Sequence, residues 1–164
     1  MRHLPIAAAL LLAAPFPALA QTAPAKPSTP APAYGAPIAL EQAQALIARA
    51  IAAARARGFR MAVAVVEPTG ELVAFAKMDD TQYGSTLVAQ RKAESAARYR
   101  SPTSAMEERT LGGRTVTLAN RDQLPIAGGI PIVVGGKVVG AIGVSGAAAS
   151  EDDEIARAAL EGTR

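Results

Sequence analysis

The stretch GGIPIVVGGKVVGAIGVSG, residues 128–146, constrains the fold more than any other part of this chain. Glycines set among β-branched residues raise two options, a phosphate cradle or a sheet that carries glycine for packing. A P-loop needs Gly, four residues, then Gly-Lys-Ser/Thr. Here Gly136-Lys137 is followed by Val138, and Pro131 stands five before Gly136. The dinucleotide pattern G-x-G-x-x-G fails too: the glycines fall at 140, 143 and 146, and no helix opens directly after Gly146. The stretch reads as two strands, Ile130–Val134 and Lys137–Val144, joined by a tight turn at Gly135-Gly136.

A plain two-residue turn sets Val134 beside Lys137 and Ile132 beside Val139. One face then carries Ile130, Ile132, Val134, Val139, Ala141 and Gly143. The other carries Pro131, Val133, Val138, Gly140, Ile142 and Val144. Both faces are apolar, so each must be covered by helix, ligand or another subunit. Glycine inside a strand marks the close approach of some other group. Gly140, Gly143 and Gly146 are therefore expected points of close approach, either for a packed helix, the simpler reading, or for a flat apolar body.

The rest of the chain supplies helices and a second hairpin. Between Leu40 and Arg57, Ala43, Leu46, Ile47, Ala50, Ile51 and Ala54 recur at the spacing of one helical face, and Gly58 suits the helix end. MAVAVVE (61–67) and ELVAFAKM (71–78) flank Pro68-Thr69-Gly70 and predict a hairpin. Ser85–Arg100 is alanine-rich and helical until Ser101-Pro102 ends it. Thr103–Leu111 suggests a further short helix, and 112–124 carries no clear pattern. Ser150 with Asp153 forms an expected capping box, with acidic residues 151–154 suited to the first turn of a last helix. The order is α-β-β-α-(α)-β-β-α. Hairpins in place of βαβ crossovers predict a mainly antiparallel sheet flanked by helices, an α/β (α+β) fold.

Met1–Ala20 reads as a secretory signal: Arg2 and His3, an apolar core over Ile6–Ala14, and Ala18-Leu19-Ala20 as the cleavage motif. The run is too short, and too interrupted by Pro15 and Pro17, to span a bilayer. Residues 21–37 hold five prolines and read as a mobile tether, leaving one domain over 38–164. The expected location is periplasmic or secreted, with no membrane contact after cleavage. The sole histidine leaves with the signal and the chain has no cysteine, which excludes thiol and Ser–His chemistry and a His/Cys metal site. Losing Arg2 lowers the net charge from +3 to +2, without a basic block. Three Phe, three Tyr and no Trp offer little for bases to stack on, so no nucleic-acid partner is expected.

The glycine stretch followed by EDDEIARAAL resembles the C-terminal signature of the GlcG/HbpS-type haem-binding family, related to the C-terminal domain of some corrinoid adenosyltransferases. EQAQALIARAIAAARARG, VAVVEPTGELVAFAKMDD and AQRKAESAARY agree with it in order, so the resemblance spans Leu40 to about Leu160. It implies a profilin-like sandwich, homo-oligomers, and haem or a related tetrapyrrole as ligand. The chain departs from the expected chemistry in lacking a mature His or Cys, the two commonest strong haem ligands.

The candidate axial ligands are Tyr83, Tyr99, Met61, Met78 and Met106, with lysine a rarer choice. Tyr83, in the polar loop MDDTQYGST, is foremost because a ligand can approach it, and its simpler reading is a solvent-facing loop residue. Lys92, Arg91 and Arg98 are candidates for pairing with ligand carboxylates, and Lys92 ranks first because it matches a family position. Gly140, Gly143 and Ser145 complete the expected ligand-binding set. The same residues have structural readings: Glu94 pairing with Arg91 or Arg98 on a solvated face, and Ala89, Ala93, Ala96 and Ala97 as a surface for close packing. Asp79-Asp80 fit turn chemistry, and a hard-cation site at residues 151–154 is a weaker reading than capping. No acid/base pair is identifiable and no catalytic residue is assigned. The leading expectation is an exported tetrapyrrole-binding protein. Alternatives are an enzyme acting on a small organic acid or tetrapyrrole through Lys92 or Arg91, and an assembly subunit.

Overall fold

A computed structural model describes residues 30–163. The expected signal segment and the first part of the tether lie outside the described residues. Strand β1 is Ala33–Tyr34, α1 Leu40–Ala56, β2 Ala62–Val66, β3 Leu72–Lys77, α2 Gly84–Tyr99 and α3 Thr103–Leu111. A 3-10 turn at Thr115–Ala119 leads to β4 (Gly129–Val134), β5 (Lys137–Ser145) and α4 (Ala149–Leu160). The predicted helices and hairpins are present in the predicted order, in a mixed α+β fold.

β5 is the central strand. It pairs antiparallel with β4 on one side and with β2 on the other, and β3 pairs antiparallel with β2. The start of β5 also takes β1 in parallel, Ala33 opposite Lys137 and Tyr34 opposite Val138. The end of the expected tether is thus part of the sheet. Tyr34 anchors it, its hydroxyl donating to Arg98 O at 2.7 Å while the Arg100 guanidinium lies 4.9 Å from its ring.

The turn at Gly135-Gly136 forms as expected, with φ of 56° and 74°, the left-handed pair that a two-residue hairpin demands. The register beyond it differs from the plain hairpin. Val133 pairs with Val138, but Ile132 pairs with Gly140, which leaves Val139 as an extra residue in a β-bulge. The physical reason is that Val139 O accepts a hydrogen bond from Ile38 N, at 2.8 Å, in the incoming N-terminal segment. The bulge swaps part of the expected faces: Ile130 and Ile132 lie opposite Ile142 and Gly140, whereas Pro131 lies opposite Ala141.

Each sheet face has its own helical cover. Val63, Val65, Ile130, Ile132, Ile142 and Val144 pack under α1 and α4, against Leu46, Ile47 and Ile155. A fully buried aliphatic side chain here stabilises by about 1.5–3 kcal/mol. The other face is made of small residues: Ala62, Ala64, Val66 and Ala141 meet Ala89, Ala93, Ala96 and Ala97 of α2. Without bulk on either side, α2 sits very close to the sheet. A Cβ added to Gly143 would overlap Ala89 O and lie 2.6 Å from Ala93 N. The body lying against Gly143 is therefore this chain's own helix.

α4 begins earlier than the expected Ser150–Asp153 box. Ala148 is the N-cap and donates its N–H to Glu151 Oε2 at 3.0 Å, so Ser150 lies inside the first turn. Asp153 is engaged elsewhere, accepting from Arg157 Nε at 2.6 Å.

Candidate functional site

Helix α2 carries most of the residues that the sequence singles out, and its two faces serve different chemistry. The inward face is alanine and serine with one lysine. Lys92 is 1% exposed, and its ammonium donates to Asp152 Oδ2 at 2.7 Å and to Val144 O at 3.1 Å. Asp152, 2% exposed, also accepts Ala147 N–H on Oδ1 at 3.0 Å, so one carboxylate neutralises α2's lysine and holds the residue that precedes the α4 N-cap. Burial outweighs Lys92's attraction and pushes the Asp152 carboxyl above the usual carboxylate range.

The surrounding glycines make room for this pair. A Cβ on Gly128 would meet Lys92 Nζ at 2.9 Å and Asp152 Cβ at 2.8 Å, and one on Gly129 would overlap Lys92 O. Thr103 Oγ1 accepts Gly129 N–H at 2.8 Å and closes the same corner. Ser145 is buried as well, its hydroxyl 3.2 Å from that of Ser85. Lys92, Gly143 and Ser145 thus meet in the interior. Gly140 faces Val66 O and Ile38. None of the four is open to a ligand in this conformation.

The outward face of α2 is different. Tyr83, at the N-cap, is 91% exposed, and Leu87 is 63% exposed. With Arg91 they recur at i, i+4 and i+8, a stripe about 12 Å long on one side of the helix. The Lys77 ammonium stands 5.8 Å from the Tyr83 ring centroid. At the other end Arg91 donates to Arg121 O at 2.8 Å and borders a cavity of about 510 Å³, with Leu118, Arg121, Leu124 and Pro125 around it. That volume is in the range of small-molecule sites. A lining that combines two arginines with aliphatic side chains suits an apolar ligand that bears carboxylates.

The loop that walls the cavity is held by α2. Ser95 Oγ accepts Leu124 N–H at 2.8 Å, Arg98 forms an ion pair with Asp122, and Asn120 Nδ2 donates to the Tyr99 hydroxyl at 2.6 Å. Arg98 also donates through Nε to Thr69 O at 2.8 Å. Arg91 and Arg98 therefore grip this loop, and neither pairs with Glu94 as the spacing suggested. Of the remaining candidate ligands, Met61, Met78 and Met106 are buried. The acids of the α4 start each have a partner: Glu151 the Ala148 N–H, Asp152 Lys92, Asp153 Arg157 and Glu154 Arg57.

The Lys92–Asp152 pairing is absent from the sequence reading, although a signal for it exists: one lysine on an otherwise small, inward helix face requires a buried anion. Arg121 and the cavity wall carry no such signal, because the 112–124 loop has no periodicity to place them, and Leu87 is a single exposed leucine of α2.

A family model described as haem degrading protein HbpS-like matches residues 38–161. Protein GlcG of Escherichia coli K12 is 34% identical over 105 residues, 64% of this chain and 78% of GlcG. Among solved structures, a double mutant of Streptomyces reticuli HbpS aligns with a TM-score of 0.70 and 30% identity, covering 90% of this chain and 96% of that one. A PduOC:heme complex aligns with a TM-score of 0.71, covering 76% of this chain and 93% of its own. At 20% identity that likeness is one of fold.

Proposed function

We propose, from the premise that the chain belongs to the HbpS-like family, that it binds haem or a related tetrapyrrole on the outer face of α2, after export from the cytoplasm. The observation that carries the site is the stripe Tyr83–Leu87–Arg91, exposed at Tyr83 and Leu87, which leads into the cavity of Arg121, Leu118 and Leu124. The accessible donors are oxygen and the lysine amines: no histidine or cysteine occurs among the described residues, and the methionines among them are buried. A phenol is an established haem ligand type, and the fit holds through Tyr83. In this reading the Tyr83 phenol faces the metal, Leu87 supplies apolar contact, and Arg91 with Arg121 pairs with the propionates. Haem, when bound, supplies a ferric centre. The protein's own residues orient it and neutralise its carboxylates.

Binding without turnover agrees with the interior. Lys92, the amine considered for catalysis, is sealed against Asp152 and touches no open cavity. Export rests on the Met1–Ala20 pattern. The test is a titration of the purified chain with hemin, followed at the Soret band: a shifted, saturable band is expected, and its absence overturns the reading.

A second reading, assembly with further copies of the chain, is favoured by Leu111, Val116 and Leu118, which are 82%, 69% and 60% exposed on α3 and the 3-10 turn. Light scattering tests it, with a mass above that of one chain expected.

A further inference from the structure

We infer that the cleft between the end of α1 and the end of β3 is a binding site for a small multivalent anion, bordering the Tyr83 end of the stripe on α2 through Lys77. Three cations reach it from three elements: Arg55 from the last turn of α1, Arg60 from the following loop, and Lys77 from the end of β3. The cleft has a volume of about 540 Å³ and an apolar floor of Ile51 and buried Met78. Among the described residues no carboxylate lies within ion-pair distance of Arg55, Arg60 or Lys77. Arg57, Lys92, Arg98 and Arg157, by contrast, have acidic partners.

Two acids, Asp79 and Asp80, also line the cleft, yet neither lies within ion-pair distance of the cations. The turn explains why. Asp80 adopts a left-handed conformation, φ 60°, and Thr81 donates both its N–H and its hydroxyl to Met78 O, at 3.3 Å and 2.8 Å. The acids are held in a tight turn, and the cation side of the cleft remains unpaired. Like charges focused in a concave surface attract counter-ions, and guanidinium forks match the oxygens of carboxylate or phosphate groups. A compact oligoanion, either a polycarboxylate or a phosphate, is the ligand this chemistry selects.

The experiment is isothermal titration calorimetry of the full chain at low ionic strength, with citrate and with inorganic phosphate as probes. Saturable binding of at least one probe is expected, weakened about tenfold or more in an Arg60→Gln/Lys77→Gln double variant, a loss of about 1.4 kcal/mol. Arg109→Gln, an equally exposed arginine on α3, should leave the affinity unchanged. Citrate alone binding identifies a carboxylate ligand, and phosphate alone a phosphate ligand. Absence of saturable binding by both probes, or parental affinity in the double variant, overturns the proposal. If circular dichroism shows the double variant to be misfolded, Arg55→Gln is read in its place by the same criterion.

Discussion

Lys92 and Asp152 form a buried ion pair, Nζ to Oδ2 at 2.7 Å, that ties the middle of α2 to the first turn of α4 across the end of β5. Both side chains are at most 2% exposed. A pair so desolvated contributes little net stability over an apolar pair, but breaking it is expensive. Its evident work is positional: it fixes α2, and so fixes what the outer face of α2 presents.

Lys92→Met alone should therefore destabilise the chain by about 3–5 kcal/mol, because it leaves the Asp152 carboxylate buried without its cation. Asp152→Asn, a neutral isostere of the protonated acid that burial favours, should cost less. Replacing both together, Lys92→Met with Asp152→Leu, should recover most of that loss. The shortfall should be about 1 kcal/mol, from the lost hydrogen bond to Ala147 N–H. Urea unfolding of the three variants measures it.

The raised pKa of Asp152 gives a pH dependence with a definite sign. Above the ordinary value of 3.8, up to its raised native value, the native carboxyl holds a proton that the unfolded one has lost. This group's contribution to stability is full below 3.8 and falls as pH rises through the native pKa. The difference in melting temperature between the parent and Asp152→Asn should thus shift against the parent as pH is raised from 4 toward 7. A difference that moves in favour of the parent over that range contradicts the assignment.

Two glycines of the same hairpin should respond in opposite ways. Gly143→Ala places a methyl into the backbone of α2 and should cost more than about 4 kcal/mol or prevent folding. Gly135→Ala meets no neighbouring atom and carries only the cost of a left-handed φ, about 1–2 kcal/mol. Expression yield and thermal melts of the pair decide this.

Tyr34→Phe removes the hydroxyl bond to Arg98 O that holds β1 in place. Hydrogen exchange at Gly35 N–H, bonded to Val138 O at 2.8 Å, should speed up. Global unfolding should change by less than about 1.5 kcal/mol.

The fold was largely legible from periodicity. The apolar spacing in Leu40–Arg57, the alanine helix and the two hairpins all translate directly into elements, because burial enforces their patterns. The Val139 bulge was not legible, since it depends on a bond to Ile38 from a distant, proline-rich segment. Nor was the pairing of Lys92 with Asp152, sixty positions apart, for which the chain offers only an out-of-place lysine. Lys92, Gly140, Gly143 and Ser145 carry the resemblance to the family through packing. The accessible chemistry lies in Tyr83, Leu87 and Arg91, which no burial pattern constrains.

The central claim, a tetrapyrrole held along Tyr83, Leu87 and Arg91, is tested most directly by hemin titrations of the parent, Tyr83→Phe and Leu87→Glu under identical conditions. The account predicts a saturable Soret shift in the parent, an altered ferric spectrum in Tyr83→Phe, and affinity about tenfold weaker in Leu87→Glu, as expected for losing about 1.4 kcal/mol of apolar contact. No saturable shift in the parent, or parental spectrum and affinity in both variants, would contradict it.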